Sequence, residues 1–182
     1  MRDVQKLHDA FSYHAAYYHF DDQAVNYFDL GPQNSRGFRA LKVWLALRQV
    51  GRAGQLKMIG DDMRLARHLH RLVAEHPEFE ATSQALSITT LRYVPPDLRP
   101  GLGSEHVERH LNELNQRLLT AVEESGEAFL SNAVIDGKFV LRACIVNFHT
   151  SLDDVEALLP LLTGLGREID ASLRETAGVF GS

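Results

Sequence analysis

The run Ala128-Phe129-Leu130-Ser131-Asn132-Ala133-Val134-Ile135-Asp136-Gly137-Lys138-Phe139-Val140-Leu141-Arg142-Ala143-Cys144-Ile145-Val146 decides how the rest of the chain is read. Two segments, 128–135 and 138–146, are separated only by Asp136-Gly137. An aspartate-glycine pair between two such runs is a strong signal for a two-residue hairpin, because that turn needs positive φ at both central positions. Upstream, Val107, Leu111, Leu114, Leu118 and Val122 fall on one stripe at helical spacing, which predicts an amphipathic helix over 105–125, stopped by Gly126. Residues 79–83 and 86–94 are rich in β-branched side chains and read as strands, followed by a loop from Pro95-Pro96 to Gly103. Downstream, Ser151 with Asp154 three residues on resembles a capping box. The helix it opens runs from 152 toward 174, and Pro160 inside it predicts a kink or break.

The N-terminal part reads differently. Phe38, Leu41, Leu45 and Val50 share a helical face, and Val43, Trp44 and Leu47 widen it to most of the surface. A helix apolar nearly all round is expected to be buried. Asn34 or Ser35 suits its N-cap. Gly51 and Gly54 bracket a break, and a second helix over 55–75 ends at Pro77. Residues 1–10 read as a short helix and 11–32 as a long loop. That loop holds seven of the fifteen aromatic residues, so it has something to pack against. Long loops of this kind are often functional. The order of elements predicts an α+β fold: a short, mostly antiparallel sheet with helices on one face, preceded by long helices and the aromatic segment. The organisation expected is 1–32, then 33–182.

Composition narrows the function classes. The chain has 182 residues, 45% of them apolar and 24% charged, in the range of a single globular domain. The net charge of −5 and the lack of a basic block argue against nucleic acid or an anionic membrane as partner. No apolar run reaches membrane-spanning length, and the first 30 residues lack a signal-peptide pattern. A single cysteine, Cys144, excludes an internal disulfide framework, so a reducing compartment, the cytoplasm, is expected.

Several residues stand out chemically. Arg142 sits among apolar neighbours in 139–146, so both faces of its strand look covered. A guanidinium there needs an anion. That anion is either a structural aspartate or glutamate, or a substrate carboxylate or an acid beside a site. Arg36 and Arg39 flank a helix start, where an anion is favoured; the plain alternative is two solvated or carboxylate-paired arginines. His106 and His110 are spaced i, i+4 but in H-V-E-R-H, not the zinc motif H-E-x-x-H, and they look solvent-facing. Cys144 reads as a small buried residue. Phosphate-loop, hydrolase-elbow and Rossmann motifs are absent from the sequence.

The run Arg36-Gly37-Phe38-Arg39-Ala40-Leu41-Lys42-Val43-Trp44 resembles the R-x-F-R-A/S-L-K-x-W segment of the group II pyridoxal-phosphate-dependent amino-acid decarboxylases. Glu75-His76-Pro77-Glu78-Phe79-Glu80, Leu91-Arg92-Tyr93 and Asp136-Gly137-Lys138-Phe139-Val140-Leu141-Arg142 follow in the same order. Ala10-Phe11-Ser12-Tyr13-His14-Ala15-Ala16-Tyr17 is similar to the family's mobile catalytic loop. The resemblance spans roughly residues 8–165. It implies the small C-terminal domain of a fold-type I pyridoxal-phosphate enzyme, a carboxy-lyase acting on an L-amino acid, usually a homodimer. It implies that Tyr17 returns a proton to the α-carbon after CO2 leaves. Ser35, often glycine in the family, and Arg36 match positions that border the cofactor across a dimer interface. Arg142 matches a strand arginine at the substrate end of the site.

The family's cofactor lysine lies in an N-x-H-K motif upstream of these positions. None of the four lysines here (Lys6, Lys42, Lys57 and Lys138) follows a histidine. The chemistry needs that lysine. The resemblance therefore implies a C-terminal portion that requires an upstream cofactor-binding domain or subunit and is inactive alone. Asn34-Ser35-Arg36-Gly37 departs from the L-G-R-R that aromatic-specific members often carry, which leaves aromatic, acidic and other amino acids open. The alternatives are a non-catalytic dimerisation or regulatory protein derived from such an enzyme, and an unrelated α+β small-ligand binding domain.

Overall fold

The computed structural model describes residues 3–14, 25–33 and 35–178. Tyr17 and Asn34 lie outside them. Two compact units divide the chain, Met1–Gly51 and Arg52–Ser182.

In the first unit, α1 (Gln5–Phe11) and a 3-10 turn (Tyr27–Leu30) precede the start of α2 (Arg39–Glu75). The helix begins at Arg39, later than expected, after Gly37, whose backbone loses the most freedom on entering a helix. Gly51 interrupts α2 at φ 64° and ψ 176°, a conformation essentially restricted to glycine. Gly54 stays within the helix. Before this break the apolar side chains are not buried: Phe38 is 74% exposed, Val43 61% and Trp44 56%. The expectation of a buried helix fails within this chain. The all-round apolar pattern is there, but its side chains stay exposed among the described residues.

The second unit is an antiparallel sheet in the order β1-β2-β4-β3, with β1 Phe79–Ala85, β2 Ile88–Tyr93, β3 Ser131–Ile135 and β4 Lys138–Cys144. It is an α+β fold. Alternation along the strands puts Phe79, Leu91, Tyr93, Leu141 and Ala143 on one face. They form one core with Ala66, Leu69 and Val73 of α2, with Leu114, Leu118 and Val122 of α3 (Glu105–Ser125), and with Leu158, Leu159 and Leu162 of α4 (Leu152–Ala177). Val107 and Leu111 of the same α3 stripe pack with Val94 and Leu98. The opposite face carries Thr90, Arg92, Val140 and Arg142.

Local signals explain most boundaries. Asp136 (φ 50°) and Gly137 (φ 77°) form the expected hairpin turn. Ser151 Oγ accepts from the Asp154 backbone N–H at 3.2 Å while Asp154 accepts from the Ser151 N–H at 2.8 Å, closing the capping box. The turn between β1 and β2 falls on Leu86-Ser87, inside the run expected as strand, with Leu86 at φ 51°. α4 runs through Pro160 without a break. Pro160 lacks the N–H that the Glu156 carbonyl would accept from, and both residues lie on the exposed side of the helix, where a proline is best tolerated.

Gly166 of α4 touches the ring of Tyr93: a Cβ built there would lie 2.8 Å from the ring. Tyr93 is buried and held through its hydroxyl by Glu78 at 2.8 Å. Gly166→Ala is therefore expected to cost about 1–3 kcal/mol of overpacking, against at most ~1 kcal/mol returned by helix propensity. Urea unfolding checks it; an unchanged or raised midpoint would show that the ring yields.

Candidate functional site

The face of the sheet opposite the main core carries a row of polar side chains; it is closed over Thr90, Arg92 and Val140 and opens toward Arg142 and Cys144. Arg142 of β4 stands directly opposite Thr90 of β2 on one side and Ser131 of β3 on the other. A register shift between Ala81 and Ser83 lets both Thr82 and Ser83 reach Thr90 Oγ1, each at 2.7 Å. Thr90 is thereby saturated. Arg142 donates from Nη1 to Ser131 Oγ at 3.3 Å, and Ser131 Oγ donates to the Arg142 carbonyl at 3.3 Å. Among the described residues no carboxylate pairs with Arg142. Its side chain is only half-buried: Val140 on the same face is fully covered, and the cover thins along β4 to Arg142 and then to exposed Cys144. The guanidinium keeps further N–H donors that no described residue takes.

The fully buried arginine is Arg92, one row along, which the sequence pattern did not single out. Arg92 donates from Nε to Glu80 Oε2 at 2.6 Å and from Nη1 to Glu108 Oε2 at 2.6 Å. Lys138 Nζ adds a second cation on Glu80 at 2.9 Å. Its partners lie 12 and 16 positions away in sequence, so no local motif announces them. Burial pushes the Glu80 carboxyl up, but Lys138 and Arg92 outweigh it and hold it below its ordinary value. The Arg92 guanidinium likewise holds Glu108 down against its burial.

Both carboxylates are depressed in the folded state. Their stabilisation is present above the ordinary carboxylate value of about 4.3 and is lost as pH falls through the lower folded values. Between pH 5 and pH 3 the unfolding midpoint of the native sequence is expected to fall more steeply than that of Glu108→Gln. Parallel slopes would remove Glu108 from the acid response.

In the first unit, Ser35 and Arg36 line a recess of about 420 Å³ with Gln33, Gly37 and Arg39. Arg36 is exposed and no ion pair joins it to a described residue. Asp29 is buried and gathers the described residues on either side of the segment that contains Tyr17: Ser12 Oγ donates to Asp29 Oδ1 at 3.2 Å, and His14 Nε2 lies 2.9 Å from the same oxygen. Ser35 and Arg36 thus sit together in one unit, and Arg142 in the other.

Two expectations about α3 and β4 are corrected. His110 is not solvent-facing: α4 packs over it and Asp170 Oδ1 lies 2.8 Å from its Nε2. Cys144 is exposed, since it ends β4 on the open face beside Arg142. Of the lysines, Lys57 is paired with Asp61 and Lys138 with Glu80, while Lys6 and Lys42 are exposed on helices.

Comparison with known proteins meets this geometry. Residues 1–91 match the model of the pyridoxal-dependent decarboxylase conserved domain. The chain belongs to the pyridoxal-dependent decarboxylase family. Tyrosine decarboxylase 2 of Arabidopsis thaliana is 36% identical over 150 residues, covering 80% of this chain and 26% of that protein. The aromatic-L-amino-acid decarboxylase of Bacillus atrophaeus is 29% identical over 149 residues, covering 81% and 30%. The chain therefore spans about a quarter to a third of these relatives. Among solved structures, mouse CSAD superposes with a TM-score of 0.75 at 23% identity over 91% of this chain and 35% of that one. Oryza sativa TDC, solved with PLP and tryptamine, gives 0.71 at 22% over 92% and 34%. These likenesses show the fold over the matched part of the chain; the active-site roles are a separate matter. Among the described residues no helix is long and apolar enough to cross a membrane.

Proposed function

We propose that these residues form the portion of a pyridoxal-phosphate-dependent L-amino-acid decarboxylase that follows its cofactor lysine, with an aromatic amino acid as substrate. The observation that carries the reading is Arg142: a half-buried guanidinium at the open end of its sheet face, held by a neutral hydroxyl and with no acid partner among the described residues. That is an arginine prepared for an external carboxylate. The curated relatives, tyrosine and aromatic-amino-acid decarboxylases, support the aromatic class.

The residues fit the cofactor's anionic group in part: exposed Arg36, which has no ion-pair partner among the described residues, offers a cation beside Ser35 and the backbone of Gly37. They do not supply its lysine, because Lys57 and Lys138 are engaged with acids and Lys6 and Lys42 lie on exposed helix surfaces. Pyridoxal phosphate, when bound, supplies the electron sink for loss of CO2. Arg142 orients the substrate carboxylate. Ser35 and Arg36 border the cofactor from a partner subunit. Tyr17, on the segment 1–32, returns the proton to the α-carbon. The exposed apolar face of residues 38–47 is where the rest of the enzyme and the second subunit of a cytoplasmic homodimer pack. The same face supports the second reading, a non-catalytic dimerisation or regulatory protein.

The 182-residue polypeptide alone is expected to be inactive. Incubated with pyridoxal phosphate and reduced with borohydride, it should carry no adduct at a defined lysine by peptide mass spectrometry. A single modified lysine would overturn the reading that these residues lack the cofactor lysine.

A further inference from the structure

We propose that Ser131 is the positioning residue for Arg142: it fixes the guanidinium on the open sheet face in the orientation that receives a carboxylate. The inference rests on the reading of Arg142 as the substrate's anion partner.

Ser131 and Arg142 are direct cross-strand partners of β3 and β4. The hydroxyl works at both ends of the arginine. It accepts from Nη1 and donates to the carbonyl of the same residue, so one rotor closes a loop from the tip of the side chain to its own backbone. No other described side chain can take that part. Thr90, the partner on the opposite strand, has its hydroxyl committed to Thr82, Ser83 and the Ser83 backbone. The acids on this face of the sheet belong to the Arg92 network: Glu80 meets Arg92 and Lys138, and Glu108 meets Arg92. Without Ser131, Arg142 would be a long side chain free to turn on an open face. An anion would then have to order it at the moment of binding, at a cost that falls on affinity. A hydroxyl suits the task better than a carboxylate would. It orients the cation without neutralising it, so the attraction for an incoming anion is kept.

The test uses the complete enzyme and 3-phenylpropionate, a carboxylate without the amine that would react with the cofactor. Dissociation constants by calorimetry, and KM and kcat for the best aromatic substrate, are compared across variants. Ser131→Ala is expected to weaken phenylpropionate and raise KM by about three- to tenfold with kcat changed less than about twofold, the size of one long side chain's ordering. Ser131→Thr keeps the hydroxyl on a residue that strands favour and should restore both values. In an Arg142→Gln background, Ser131→Ala should add nothing, because the residue it positions is gone. If Arg142→Gln weakens binding and Ser131→Ala does not, the positioning role is overturned and the reading of Arg142 stands. If Arg142→Gln leaves phenylpropionate binding and KM unchanged, or the wild type does not bind phenylpropionate, the reading of Arg142 falls and the role of Ser131 with it. A loss in Ser131→Ala that persists in the Arg142→Gln background would make Ser131 a residue of the sheet alone.

Discussion

Arg92→Ala should cost about 3 kcal/mol or more of stability, the lower part of the range seen when one partner of a buried ion network is removed. The side chain of Arg92 is wholly buried, while those of Glu80 and Glu108 are 25% and 19% exposed. Removing the cation leaves Glu108 without an ion-pair partner and Glu80 with Lys138 alone, at the covered part of this sheet face. Water reaches the carboxylates in part, which keeps the cost from the top of the range. A domain is commonly stable by only about 5–15 kcal/mol, so the change is large. The mechanism is checked by a second variant. Arg92→Met combined with Glu80→Gln and Glu108→Gln removes the charges together, and should recover at least half of what Arg92→Met alone loses in urea unfolding. If the triple variant is no more stable than Arg92→Met, stranded charge is not the cause and lost packing is.

The second large effect concerns the reaction. Tyr17→Phe in the complete enzyme should lower amine formation by about 10²- to 10⁴-fold, the range for losing a positioned proton donor. Substrate binding should be little changed, because the ring is kept and only the hydroxyl is lost. The ratio of amine to CO2 is the sharper readout. If Tyr17 returns the proton after CO2 leaves, the variant in air releases more CO2 than amine, the difference appearing as aldehyde and ammonia with molecular oxygen reduced to peroxide. Equal amine and CO2 at near-normal rates would move the proton donor to another residue, with Tyr13 and Tyr18 next to test.

The parts of the fold that were legible in the sequence are those fixed by neighbours along the chain. The α3 stripe from Val107 to Val122 is buried throughout. Asp136-Gly137 turns the hairpin and Ser151 caps α4, since each signal acts over two to four residues. What stayed hidden depends on partners distant in sequence. Arg92 looks like any strand residue until Glu80 and Glu108 arrive. His110 looks solvent-facing until α4 brings Asp170. Leu86 turns a hairpin without the glycine or asparagine that announces one. The apolar neighbours of Arg142 and Cys144 predict cover on both faces, and it is there at Val140 and Leu141, but they do not say how far along the strand it reaches. The helix from Arg39 was read as buried for the related reason that an apolar surface does not say whether its cover lies in the same polypeptide.

The candidate site divides along the same line. Arg142 was visible as a charge in an apolar setting, and the family motif around Arg36 and Trp44 pointed to a cofactor enzyme. The hydroxyl that holds Arg142 was not visible, because Ser131 and Arg142 are 11 positions apart and meet only through the register of β3 on β4.

The most direct measurement is decarboxylation by the polypeptide as its source makes it. An antibody to residues 105–182 would isolate it, and CO2 and amine would be measured from carboxyl-labelled L-tyrosine, L-tryptophan, L-phenylalanine and L-glutamate with pyridoxal phosphate added. Equal CO2 and amine from an aromatic amino acid, by a polypeptide well above 20.4 kDa, is the expected result. A native product at 20.4 kDa that releases CO2 unaided, or a longer one inactive on every amino acid, would contradict it.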